Sequence, residues 1–87
     1  MTLLNDVQTW RVQLAADDNF KIYDTTNTKQ PFVIEANTAS NTLYLDSTGY
    51  VGIGTATPTH TLNVVGDLNV TGTSYLQDAD FNEGWLN

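Results

Sequence analysis

The sequence predicts an all-β fold, and three observations carry that prediction. The apolar residues of this 87-residue chain fall in short bursts rather than in helical stripes. Within several bursts they alternate, so one face of each segment is apolar and the other polar. Between the bursts stand Thr, Asn, Asp and Gly, the residues that make turns.

In chain order, Leu3 to Gln8 is the single helix candidate, and it is too short to cover a sheet. Trp10 to Leu14 follows as a strand with Trp10, Val12 and Leu14 on one face. Asp17-Asp18-Asn19 closes a hairpin onto Phe20 to Tyr23, where Phe20 and Ile22 share a face. Thr25 to Gln30 reads as a polar loop, Phe32 to Ile34 as a strand with its two ends in phase, and Asn37 to Asn41 as a second loop. Asp46-Ser47-Thr48-Gly49 has the composition of a type I turn ending in a glycine at positive φ, and it joins Leu43 to Leu45 with Val51 to Ile53. Thr55 to His60, with Pro58, interrupts the pairing.

Beyond that break, Leu62 to Asp67 and Leu68 to Thr73 agree at four of six positions, a weak hexad L-N-V-x-G-x. Two arrangements fit it: an intertwined β-shaft whose units bury their apolar side only against neighbours, or a plain hairpin turning at Gly66-Asp67. Tyr75-Leu76 is a last short burst. The expected architecture is a short-stranded antiparallel β-meander or sandwich-like domain over residues 1–57, then a hexad-containing β-shaft and acidic tail over 58–87.

A chain this short buries about 60 to 65 percent of the surface its unfolded form exposes, which leaves a marginal core. With no cysteine, disulfides cannot supplement it. A single antiparallel sheet with one apolar face must therefore roll up, stack on itself or meet copies of itself.

Charge excludes other classes. Ten acidic against three basic side chains give a net −7, which repels nucleic-acid phosphates and anionic lipid. Arg11, Lys21 and Lys29 are too few and too scattered to offset it. No window approaches the roughly 18 apolar residues of a membrane span, so no membrane insertion is expected. Met1 to Asp6 lacks a basic region followed by a long apolar run, so synthesis in a cytoplasm is expected.

Catalytic constellations are equally thin, and no catalytic residue, cofactor or metal is expected. His60, the one histidine, sits in a polar loop with no distinctive serine context. Asp17-Asp18 and Asp78 with Asp80 supply paired carboxylates, but adjacent acids in turns are ordinarily solvated turn formers. The tail Asp78 to Gly84 has its glycine one position late for a calcium loop and lacks the bidentate glutamate at the twelfth position. Gly49 to Gly54 is no dinucleotide fingerprint, because no helix pattern follows it. Asn69-Val70-Thr71 matches the glycosylation triplet without an obvious loop around it. Trp10, Trp85 and four tyrosines are the candidates for a sugar-binding platform, although Trp10 alternates in phase with Val12 and Leu14 and so reads as core.

The stretch Leu43 to Pro58, LYLDSTGYVGIGTATP, followed by LNVVGD at 62–67, resembles a segment of tailed-phage tail fibres and related surface proteins. There the pattern runs roughly L-x-[IL]-[DN]-x-x-G-x-V-G-I-G-T-x-x-P and then L-x-V-x-G. Trp10, Asn19 to Asp24 and Pro31 to Ile34 are similar to the repeat that often precedes it, so the likeness spans about residues 10 to 72. It implies a homotrimer, a virion location and a non-enzymatic structural role: a tail-fibre segment that attaches or positions a receptor-binding part. Capsid decoration is the alternative setting and a carbohydrate-binding surface module the alternative class. The implied partners are further copies of the chain, other virion proteins of tail, baseplate or capsid, and a host surface glycan as a further candidate. Val51, Ile53, Leu62, Val64, Leu68 and Val70 are the expected interchain contacts, with Gly52 and Gly54 leaving room for another strand or a symmetry mate to approach.

Overall fold

The computed structural model describes residues 1–77, and these form seven strands in two sheets with no helix among them. The first sheet is an antiparallel meander of β1 (Thr2–Leu4), β2 (Thr9–Leu14), β3 (Phe20–Asp24) and β4 (Lys29–Ile34), in that order. The second comprises β5 (Leu43–Leu45), β6 (Val51–Ile53) and β7 (Leu62–Val64), with β6 in the centre. The all-β prediction and the antiparallel meander therefore stand.

Turn chemistry fixes most connections. Between β2 and β3, the Ala15 N–H donates to the Asn19 carbonyl at 2.9 Å, and Asp18 takes φ 67°. The Asp17 carboxylate accepts the Asn19 N–H at 3.1 Å, the local bond that makes Asp a turn former. Between β5 and β6, the Gly49 N–H donates to the Asp46 carbonyl at 3.0 Å and Gly49 takes φ 96°. The Asp46 carboxylate also accepts the N–H groups of Thr48 and Tyr50 at 3.0 and 2.9 Å.

Several expectations need correction. Leu3 to Gln8 is a strand and a turn, not a helix: the Asn5 side-chain oxygen accepts the N–H groups of Val7 and Gln8 at 2.9 and 2.8 Å, while Leu3 and Leu4 pair with Trp10 and Thr9. Six residues are too few to offset helix nucleation, and strand pairing wins. The third loop is shorter than expected, since β4 begins at Lys29. There Gln30 and Pro31 together face Tyr23 in a register shift, a bulge that accommodates a residue with no N–H to give.

The remaining corrections concern the sheets. They do not form a packed sandwich, because no hydrophobic side chain of the described residues is buried between them. Nor does the second half continue antiparallel: β7 runs parallel to β6, reached by a helix-free crossover over residues 54–61. Since β6 and β7 share one sheet, that sheet spans the expected division at residue 57. Leu62 to Val64 thus pairs back onto β6, whereas Leu68 to Val70 forms no strand, so neither a hairpin at Gly66-Asp67 nor a repeated hexad strand exists within the chain.

Asp24 is the one buried polar group of the first sheet, and it ties two turns together. Its carboxylate accepts from the Asn27 N–H at 3.1 Å, from the Asn27 amide at 3.0 Å, and from the Gln8 amide. Thr25 N–H to the Thr9 carbonyl at 2.9 Å and Thr9 N–H to the Thr26 hydroxyl at 2.8 Å complete the staple. The bonds from Asn27, then from Gln8, favour the ionised form and hold the Asp24 carboxyl below the ordinary aspartate range.

A lowered folded-state pKa contributes stability that is complete above the ordinary value of about 3.9 and lost as pH falls through the depressed one. Thermal melts followed by circular dichroism should therefore be flat between about pH 7 and 5.5 and fall below about pH 4. Asp24→Asn should lower the midpoint at neutral pH and make the acid decline shallower than in the unmodified chain.

Candidate functional site: an apolar assembly surface

Register gathers most of the apolar residues of each sheet on one face, while Leu4, Tyr23 and Val33 of the first sheet fall on the other. In the first sheet Trp10, Val12 and Leu14 lie opposite Asp24, Ile22 and Phe20, and the last two lie opposite Phe32 and Ile34. Leu3 joins them through its pairing with Trp10. The only charges in these registered positions, Asp24 and Lys29, face each other. Polar positions such as Arg11, Gln13 and Lys21 occupy the opposite face, where Lys21 pairs with Asp17 at 3.1 Å. That bond holds the exposed Asp17 carboxyl below its ordinary range, and an ion pair at the surface contributes little stability.

In the second sheet the pairs Leu43–Ile53–Val64 and Leu45–Val51–Leu62 make an uncharged apolar face of six side chains. The reverse face, Tyr44–Gly52–Asn63, is closed by the chain itself. A Cβ on Gly52 would run into the Thr55 carbonyl oxygen, and the Thr59 N–H donates to the Asn63 side chain at 3.0 Å. Gly52, beneath this crossover, and Pro58, within it, are buried. Gly54 turns the chain at φ 80° with its N–H on the Asn41 carbonyl at 3.0 Å. Close backbone approach at Gly52 is thus realised, but by the crossover of the same chain rather than by another strand or a symmetry mate, and Gly54 serves the turn.

The apolar faces remain bare. No hydrophobic side chain is buried among the described residues; Leu14 is 76% exposed, Leu45 71% and Leu62 59%. The chain shows 7519 Å² of accessible surface, against about 5,100 Å² for a compact monomer of this mass. Its Cα radius of gyration is 17.7 Å, against about 12 Å for a compact domain of this length, within extents of 52 × 27 × 26 Å.

Of the six expected contact residues, Val51, Ile53, Leu62 and Val64 stand together on the face of the second sheet. Leu68 and Val70 lie beyond it in exposed chain without regular secondary structure. Leu43 and Leu45 complete the face and were identifiable from their parity with each other, but only the pairing to β6 shows that they share it with Val51 and Ile53. A cleft of about 490 Å³ links the two apolar faces, walled by Phe32 and Ile34 on one side and Leu43 and Leu45 on the other.

A scan of protein-family models, a search of curated proteins and a search of solved structures found no match to this chain.

The sites considered for other chemistry are not assembled. His60 contacts the neighbouring Thr59 hydroxyl at 2.9 Å through its Nδ1. Among the described residues no three His, Asp or Glu side chains gather to hold a metal ion, and no helix is long and apolar enough to cross a membrane. Trp10 is half-buried within the apolar face of the first sheet, not on a separate platform. Asp78, Asp80, Glu83 and Trp85 lie outside the described residues.

Because Gly52 touches backbone rather than a flexible side-chain end, Gly52→Ala should force the crossover off the sheet and cost about 1–3 kcal/mol, the usual range for overpacking. Gly49→Ala meets no neighbouring atom and serves as the control, with only the smaller cost of placing a side chain at positive φ. Chemical denaturation of both variants should rank them in that order.

Proposed function

We propose that this chain is a non-enzymatic structural protein of a bacteriophage virion: a homotrimeric tail-fibre segment that attaches or positions a receptor-binding part. One observation carries the self-association: an uncharged six-residue apolar face on the second sheet lies open while the reverse face is sealed by the chain's own crossover. The threefold number and the virion setting rest on the tail-fibre resemblance of residues 43–67.

Physical magnitudes support association. The surface in excess of a compact monomer is roughly 2,400 Å² per chain, enough for the extensive interfaces of obligate oligomers. Burying several hundred Å² of apolar area per chain contributes about 10 kcal/mol, comparable to the entire stability of a small domain. A chain at net −7 resists its own copies unless they meet where charge is absent, and the second sheet offers such a surface. In this reading Val51, Ile53, Leu62 and Val64 form the interchain contact, with Leu68 and Val70 engaged further along the chain. Other virion proteins and a host glycan remain its proposed partners beyond the trimer.

Multi-angle light scattering of the unmodified chain should return three times the chain mass. Ile53→Asp should abolish the trimer and leave monomer or aggregate, because it places a charge in the centre of the face. A trimer unchanged by this substitution, or a monomer that melts cooperatively as a compact domain, would overturn the proposal.

A further inference from the structure

Residues 66–77 follow β7 without regular secondary structure, and none of their backbone N–H or carbonyl groups bonds to another described residue. Leu68 and Val70 alternate with Asn69 as in a strand, yet they are 73% and 50% exposed. Among the described residues this segment finds no backbone partner, and backbone groups of this kind gain by pairing. The cleft between the sheets presents the complement. Phe32, Ile34, Leu43 and Leu45 supply apolar walls, Thr38 and Thr42 a polar margin, and no lining residue is charged. One wall is β5, an outermost strand with no neighbour on its far side among the described residues. The volume of about 490 Å³ lies in the range that accommodates ligand-sized groups.

We propose that Leu68 to Val70 of one copy lies in this cleft of a neighbouring copy, adding a strand to the outer edge of β5. This rests on the self-association proposed above and names which parts of two copies meet. The segment cannot come from the same chain. Pairing of β7 continues to Val65, whose N–H donates to the Ile53 carbonyl at 3.0 Å. Leu68 is three residues further, a reach of about 10 Å at full extension. From β7 across β6 and β5 to the far side of β5 is three strand spacings, about 14 Å. Charge agrees as well, since neither the tripeptide nor the cleft adds to the repulsion between acidic copies. Main-chain bonds to β5 would supply affinity, and the two apolar side chains would supply register.

The absence of cysteine makes disulfide mapping direct. Leu43→Cys or Leu45→Cys is placed in a size-tagged chain, Leu68→Cys or Val70→Cys in an untagged one, and each of the four combinations is co-assembled and oxidised. The expected result is a covalent pair of one tagged and one untagged chain in at least one combination, inside assemblies of unchanged native mass. Trimers in which only the 68 or 70 positions link to each other, or in which no pair forms, would overturn the docking while leaving the trimer intact. A monomeric unmodified chain would overturn both. Hydrogen exchange on the unmodified assembly is the check free of substitutions: protection of Leu68–Val70 together with all three β5 amides is expected, and freely exchanging β5 amides would sink the idea.

Discussion

Everything in this structure depends on apolar side chains that the chain itself leaves uncovered. Strand pairing satisfies backbone polar groups but buries little, and among the described residues neither sheet buries a hydrophobic side chain beneath a second layer. Hydrogen bonds exchanged with water contribute little net stability, so paired backbone alone does not replace a hydrophobic interior. Folding and association are consequently one process in the proposed assembly, with stability set by protein concentration as well as by sequence.

The crossover gives that dependence a direction. By laying Thr55 over Gly52 and Thr59 beside Asn63, it dedicates one side of the second sheet to local closure. The opposite side, with Ile53 at the centre of its row, is left as an uncharged apolar surface among the described residues. A larger residue at position 52 would exclude the crossover, and the sheet would become apolar on one side and unprotected on the other.

Much of this was legible in the sequence because strand parity is a local signal. The alternation at Trp10–Leu14, Phe20–Ile22 and Phe32–Ile34 marks three strands, and Asp46 to Gly49 carries its turn in four consecutive residues. What stayed hidden depends on distant partners. The short Leu3-Leu4 strand exists only through its pairing with β2, and nothing near Leu62 announces that it pairs parallel to Val51. The Asp24 network draws on Gln8 and Asn27 from two separate turns, so it too emerges only from the register. At the candidate site, parity places Val51 with Ile53 and Leu62 with Val64 on one face, whereas the filling of the space at Gly52 lies beyond it, because spacing reveals room without saying what fills it.

Pro31 carries a last consequence. It sits in the β4 bulge on the outer margin of the meander, where a missing N–H and a shifted register spoil the ladder that an incoming strand would need. Sheets with greasy faces and clean margins tend toward open-ended cross-β stacking. A spoiled margin on the first sheet biases such a molecule toward closed particles of finite size, and repairing it with an ordinary β-former would raise the risk of runaway polymerisation.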